Sequence, residues 1–232
     1  MIMSGCEIDT INNNTWAKVE AYIDSDSSFV NMPPSYFERA IYGGYPKDAF
    51  SKGQLASKSW LLEKLFKQIE YDKTYTVALL GCWVGSIVQP LLNIADIERV
   101  YGIDLDPDSI TLAERFNQRY VQEGWRFKGV VADASTLHTS NMIFETGGEL
   151  IHVTPDIVIN TSCEHMNTHW FETADSTQLI AMQTNDSEGY MGHINTCKTI
   201  EEMFAMYPMR NRMYAGIMKT PAYTRFMQIG YK

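Results

Sequence analysis

Three stretches of this 232-residue chain carry residues able to hold a ligand or move a proton. The first is Val77-Ala-Leu-Leu-Gly-Cys-Trp-Val-Gly-Ser86, an apolar run ending in a turn that contains Gly81 and Gly85. Glycine at such a turn lets the backbone pass close to a ligand, and a helix opening there offers unpaired N–H groups to a carboxylate or phosphate. The second is a pair of acids. Roughly 20 residues after the turn, Asp104 closes the apolar run Arg99–Ile103, where a carboxylate can accept both hydroxyls of a ribose. Asp133 closes the next run, Gly129–Ala132, beside Ala134. The third is Asn160-Thr-Ser-Cys-Glu-His-Met166, which crowds an amide, two hydroxyls, a thiol, a carboxylate and an imidazole just past another apolar run. A general base must take a proton near neutral pH, as imidazole does, so His165 is the candidate base and Glu164 its orienting group or a site for a cationic substrate. His193, with Asn195, follows a fifth apolar run and is a candidate for the rim of the same site.

Each residue also has a plainer use. Gly81 and Gly85 suffice for a tight strand-to-helix turn, Asp133 in Ala-Asp-Ala-Ser caps the segment after it, and Glu164 and His165 fit an ordinary surface loop. His165 and His169 are four residues apart, but Glu164 is not in the HExxH position, so no metal site is expected.

The elements that must position these groups follow from the hydrophobic pattern. Strands are predicted at Thr76–Leu80, Arg99–Ile103, Gly129–Ala132, Asp156–Asn160 and Gln178–Gln183, nearly continuous in Val, Ile and Leu, as in a parallel sheet covered on both faces. Between them the spacing predicts helices at Ser86–Ile94 and Pro107–Glu123, with a shorter one before Trp170. Such alternation indicates a doubly wound α/β domain. After a helix at Thr199–Met206, the extended runs Tyr214–Lys219 and Tyr223–Gly230 are separated by a link too short for a parallel crossover, so they pair antiparallel. Ahead of the first strand, Gly53–Ile69 reads as a helix with Lys58, Glu63, Lys64 and Lys67 around its apolar face; Lys52, Gln54 and Lys58 are within range of a ligand carboxylate or simply solvated. Residues 1–52 read as a helical cap, with helices at Thr15–Asp24 and Tyr36–Ile41. Tyr36, Phe37, Tyr42 and Tyr45 flank Gly43-Gly44, and Tyr42 is placed over the substrate.

Composition bounds the function classes. A net charge of -9 repels phosphate and disfavours nucleic acid as a partner, leaving a small-molecule or protein substrate. No apolar stretch reaches membrane-spanning length, and the N-terminus lacks the basic-then-apolar pattern of a signal peptide. The four scattered cysteines, Cys6, Cys82, Cys163 and Cys197, read as reduced thiols in a cytoplasmic protein.

The ordered runs Leu-Gly-Cys-Trp-Val-Gly, Val-Tyr-Gly-Ile-Asp-Leu-Asp-Pro, Val-Val-Ala-Asp-Ala and Asp-Ile-Val-Ile-Asn resemble class I S-adenosylmethionine-dependent methyltransferases. The resemblance covers Gly53 to the C-terminus and implies a Rossmann-like, seven-stranded, mostly parallel sheet with an antiparallel C-terminal strand. It places S-adenosylmethionine against Gly81, Cys82, Trp83 and Gly85, with Asp104 on the ribose, Leu105 on adenine, and Asp133 and Ala134 near the adenine amino group. Asn160 would face the transferred methyl. The family turn reads G-x-G-x-G, and Trp83 stands here at the middle glycine. Two other readings share the fold: a cofactor-binding module without turnover, and aminopropyl-type transfer from a related sulfonium donor. A nicotinamide enzyme fits the turn less well, because Trp83 and Ser86 stand where glycines are required. The ending Tyr-Thr-Arg-Phe-Met-Gln-Ile-Gly-Tyr-Lys is also similar to methyltransferase-like proteins of bacteriophages.

Overall fold

A computed structural model describes residues 8–11, 44–70, 72–94, 96–146 and 148–232. Its elements in chain order are β1 (Ile8–Ile11), α1 (Lys52–Leu65), β2 (Tyr75–Leu80), α2 (Val88–Ile94), β3 (Ile97–Asp104), α3 (Pro107–Phe116), α4 (Gln118–Gln122), β4 (Phe127–Val131), β5 (Met142–Thr146), β6 (Glu149–Val153), β7 (Ile157–Asn160), α5 (His169–Glu172), β8 (Leu179–Asn185), α6 (Ile200–Met206), β9 (Asn211–Lys219) and β10 (Thr224–Tyr231). Eight strands form one sheet in the order β1-β9-β10-β8-β7-β2-β3-β4. β10 runs antiparallel to both its neighbours, and the other pairings are parallel.

The sheet is buried on both faces because its central strands are mostly apolar on both alternating sets of positions, so the two-residue alternation feeds two cores. Val77 and Leu79 of β2, Ile157 and Ile159 of β7, and Leu179 of β8 pack with Trp60, Leu61, Leu65 and Leu91 on one side. Ala78, Leu80, Val158 and Ile180 pack with Trp170, Phe171, Met203 and Tyr207 on the other. Gln183 of β8 is the polar fastening of α1 to the sheet: its amide donates to the Ser57 carbonyl at 3.0 Å and accepts from the Ser57 hydroxyl at 2.8 Å.

Three expectations are corrected. The sheet has eight strands rather than seven: β1, in the polar N-terminal segment, pairs parallel with β9. It is fixed through Asp9, which accepts from the Tyr214 hydroxyl at 3.0 Å and pairs with Lys64 at 3.1 Å. The helix expected over Pro107–Glu123 breaks at Asn117, whose backbone leaves the helical range and whose side-chain amide is drawn away to another element. A separate two-stranded ribbon, β5 with β6, was not anticipated; Met142 and Phe144 point inward while Ile143 is exposed. The expected helices at Thr15–Asp24 and Tyr36–Ile41, and Tyr42 with them, lie outside the described residues. Among the described residues no helix is long and apolar enough to cross a membrane.

Candidate functional site

A cavity of about 730 Å³ opens at the carboxyl edge of β2, β3, β7 and β8, the edge where open α/β sheets bind ligands. One end is built by the turn after β2. Gly81, Trp83 and Gly85 all take left-handed φ values, +60°, +49° and +65°. A side chain at Gly85 would also meet the Asn117 amide, 2.8 Å from its Cβ. That amide donates to the carbonyls of Gly85 at 3.0 Å and Ala113 at 2.9 Å, so the broken helix is what braces the turn from behind.

Trp83 holds a conformation that costs a non-glycine residue roughly 1–2 kcal/mol. Two contacts offset it. Its backbone N–H donates to the Asp104 carboxylate at 2.8 Å, and its ring packs on the cluster of Tyr45, Ala49, Leu55, Val84 and Phe116. The bulky residue therefore leans on the segment before α1 while still lining the cavity. The second Asp104 oxygen accepts from the Asp106 N–H at 3.1 Å, and Asp106 itself caps α3 through Asp108 and Ser109.

Lys58 corrects the reading of α1. It is 7% exposed, not a solvated face: its ammonium reaches the cavity, donates to the Ser86 hydroxyl at 2.7 Å and lies 5.9 Å from the Trp83 ring centroid. Burial, and then the nearby Arg225 cation, lower its value to about 8. Arg225, buried on β10, lines the same cavity and donates to the Thr161 carbonyl at 3.2 Å, while its Nε has no partner among the described residues. Burial pushes the Cys82 thiol well up, with Asp104 adding to the effect, so it forms a neutral part of the wall.

Leu105, 69% exposed, and Ala134 line the cavity near Asp104. Asp133 does so too, while its carboxylate also accepts from the Ser135 N–H at 2.8 Å, so the lining and capping positions coincide in one residue.

The opposite end is assembled from two loops. Asn160 is fully buried and is not among the lining residues; its amide accepts from the Ser162 N–H at 2.9 Å and donates toward the Met166 sulfur at 3.1 Å, which shapes the loop. Glu164 and His165 reach the cavity from a short 3₁₀ turn, and His193 from the loop after β8. The Glu164 carbonyl accepts from the N–H groups of Ile194 and Asn195, which ties the two loops together. Asn195 spends its amide on the Met166 carbonyl and the Tyr207 hydroxyl. The His165 and His193 rings stand nearly perpendicular with centroids 4.5 Å apart. His169 turns elsewhere, with its ring centroid 5.3 Å from that of His138.

Sequence reasoning missed Arg225, Asn185 and Asn117. Lys58 carried a signal, since Leu55, Lys58 and Leu62 recur at helical spacing on a buried face. Asn185 donates to Glu164 at 2.6 Å and faces Arg225 across the β8–β10 pairing, a contact that only the strand register creates.

No protein-family model matches the sequence. Among solved structures, the fold is similar to magnesium protoporphyrin IX methyltransferase (ChlM) from Synechocystis PCC 6803 with bound SAH, at 17% identity and a TM-score of 0.56, covering 92% of this chain and 100% of that one. It is also similar to the PH0226 protein from Pyrococcus horikoshii OT3, at 17% identity and 0.53 over 83% and 98% of the two chains. A third is the N-methyltransferase NodS from Bradyrhizobium japonicum WM9, at 10% identity and 0.52 over 75% and 93%. With these likenesses, a sheet order reversing at β2 and β7, and an antiparallel β10, the chain has the class I S-adenosylmethionine-dependent methyltransferase fold, carrying an added eighth strand at the edge.

Proposed function

We propose that the protein transfers a methyl group from S-adenosylmethionine to a small-molecule nucleophile. The observation that carries the reading is the Asp104 carboxylate, pinned by the amides of Trp83 and Asp106 beside the left-handed turn, with the buried Lys58 ammonium lining the same cavity. These groups fit the cofactor's chemistry. Asp104 retains lone pairs for two ribose hydroxyls, since a carboxylate offers about four acceptor sites. Lys58 and Arg225 supply buried positive charge for the amino-acid carboxylate, a pairing that offsets the cost of burying either cation alone. Leu105, Ala134 and the neutral Cys82 give apolar wall for adenine.

When bound, the cofactor supplies an electrophilic sulfonium methyl for in-line displacement. The chain's own contribution is mainly position and exclusion of water, which can account for roughly 7–11 kcal/mol of barrier lowering in well-oriented reactions. The Thr161–Met166 loop and His193 wall off the acceptor end, and an imidazole there accepts the proton the nucleophile releases. The net charge of -9 favours a small molecule over nucleic acid.

Calorimetry with S-adenosylmethionine and S-adenosylhomocysteine tests the reading. Both are expected to bind, and Asp104→Ala to weaken both strongly. Lack of binding to either sinks it.

A further inference from the structure

Glu164, His165 and His193 each bring a potential ligand atom within 4.8 Å of the others at the cavity wall. Two observations give this cluster a direction. Glu164 is 3% exposed; among the described residues only Oε1 has a partner, the Asn185 amide, and Oε2 is buried without one. A buried carboxylate oxygen left unpaired is costly unless a cation meets it. The two imidazoles are oriented alike: Nδ1 of His165 lies 3.2 Å from the Gly192 carbonyl and Nδ1 of His193 lies 2.7 Å from the Ser187 carbonyl. A carbonyl only accepts, so Nδ1 carries a proton, and in the neutral ring Nε2 keeps its lone pair. Metal-ligating histidines are held in the same way, by a hydrogen bond from the other ring nitrogen.

We propose that Glu164, His165 and His193 form a site for one divalent transition-metal ion of the zinc class at the acceptor end of the cavity. Two imidazoles with one carboxylate suit zinc and its neighbours, whereas magnesium and calcium take oxygen ligands. Three protein ligands leave a coordination position open, the pattern of reactive rather than purely structural zinc. Ligands on one zinc stand about 3.3 Å apart for metal–ligand bonds near 2 Å, so the cluster must tighten. His165, exposed on the rim, is the ligand with room to move. Among the described residues no cysteine belongs to this cluster.

The role of the ion rests on the methyl-transfer reading; its binding does not. A hydroxyl or thiol in the open position is a stronger acid than in water. With both imidazoles committed to the ion, the acceptor would lose its proton to solvent rather than to an imidazole. Its electron pair would attack the methyl as the carbon–sulfur bond breaks and S-adenosylhomocysteine leaves. That points to alcohol, phenol or thiol acceptors rather than amines.

The full chain, stripped with a chelator, would be titrated with zinc by calorimetry and with cobalt by absorbance, without cofactor. One equivalent should bind, and cobalt should give visible bands without the charge-transfer absorption of a thiolate. His165→Ala, His193→Ala and Glu164→Gln should each weaken zinc by at least about 10–100-fold, while His138→Ala should leave it unchanged. No saturable binding, thiolate absorption, or unchanged affinity in the histidine variants overturns the site, and those variants decide if Glu164→Gln fails to fold. S-adenosylhomocysteine binding by the same preparation separates the two readings: zinc without it removes methyl transfer and keeps the metal, and the converse removes only the metal.

Discussion

At the glycine-turn end of the cavity the Asp104 carboxylate is held by two backbone amides, and the turn's carbonyl by Asn117; at the His165 end Glu164 keeps an unpaired buried oxygen, and both imidazoles have only Nδ1 engaged. The turn and Asp104 at the first end are braced by hydrogen bonds within the chain. The second is built from two loops that meet through the Glu164 carbonyl, and its spare valences wait for an occupant. The difference suggests a division of labour in which the cofactor end relies on preorganised geometry and the acceptor end on unsatisfied chemistry.

The comparison can be broken most directly at Asp104. Asp104→Ala should weaken S-adenosylhomocysteine by about 100-fold, or about 3 kcal/mol, the scale of charged hydrogen bonds lost to two hydroxyls; calorimetry that shows less than a few-fold loss would mean this end is not the cofactor end. Lys58→Met comes next, with a roughly 10-fold loss at neutral pH. In the wild type, binding of the carboxylate should weaken as pH rises through about 8, where the ammonium deprotonates, and the variant should lose that dependence. Stability of the free protein should move the other way. The folded value lies below the unfolded 10.5, so between about 8 and 10.5 the unfolded chain binds more protons and stability rises with pH. Thermal melts across that window should show the rise in the wild type and not in Lys58→Met.

Asn185→Ala sharpens the contrast from the other side. It strips Glu164 of its only side-chain partner among the described residues and should cost about 1–3 kcal/mol of stability, while S-adenosylhomocysteine affinity stays within a few-fold. An equal loss at both ends in the same calorimetry would show that the ends are not independent. The smallest effect is expected for Trp83→Gly. Relief of the left-handed strain, about 1 kcal/mol, opposes the lost packing on Phe116 and Tyr45, so denaturant melts should shift by little in either direction.

Legibility in the sequence follows the same divide. The central strands could be read because their apolar runs are continuous, and the Gly81 turn and Asp104 because each sits at the end of such a run. Asn117 was hidden inside a helical period, and only its bond to Gly85 explains the break. The acceptor end was half legible: Glu164 and His165 stood together, but helical spacing pointed to His169, which faces His138, whereas the residue that meets them is His193 on another loop. Arg225 read as one polar residue in a strand, because its placement depends on the register of β10 against β8. β1 was missed because Ile-Asp-Thr-Ile has no strong pattern and draws its support from Tyr214 and Lys64 far along the chain.

That distant support has a consequence for how the molecule is made. β1 lies far ahead in the chain of its partner β9, which begins at Asn211. Until β9 has been translated, the strand has no edge to join, and pairing at so large a sequence separation is slow. The same pairing covers the outer edge of β9, which would otherwise stand as an open template for another chain. A variant lacking β1 should therefore keep its cavity residues but gain a tendency to self-associate through β9, so this short strand acts as a late-closing guard on solubility.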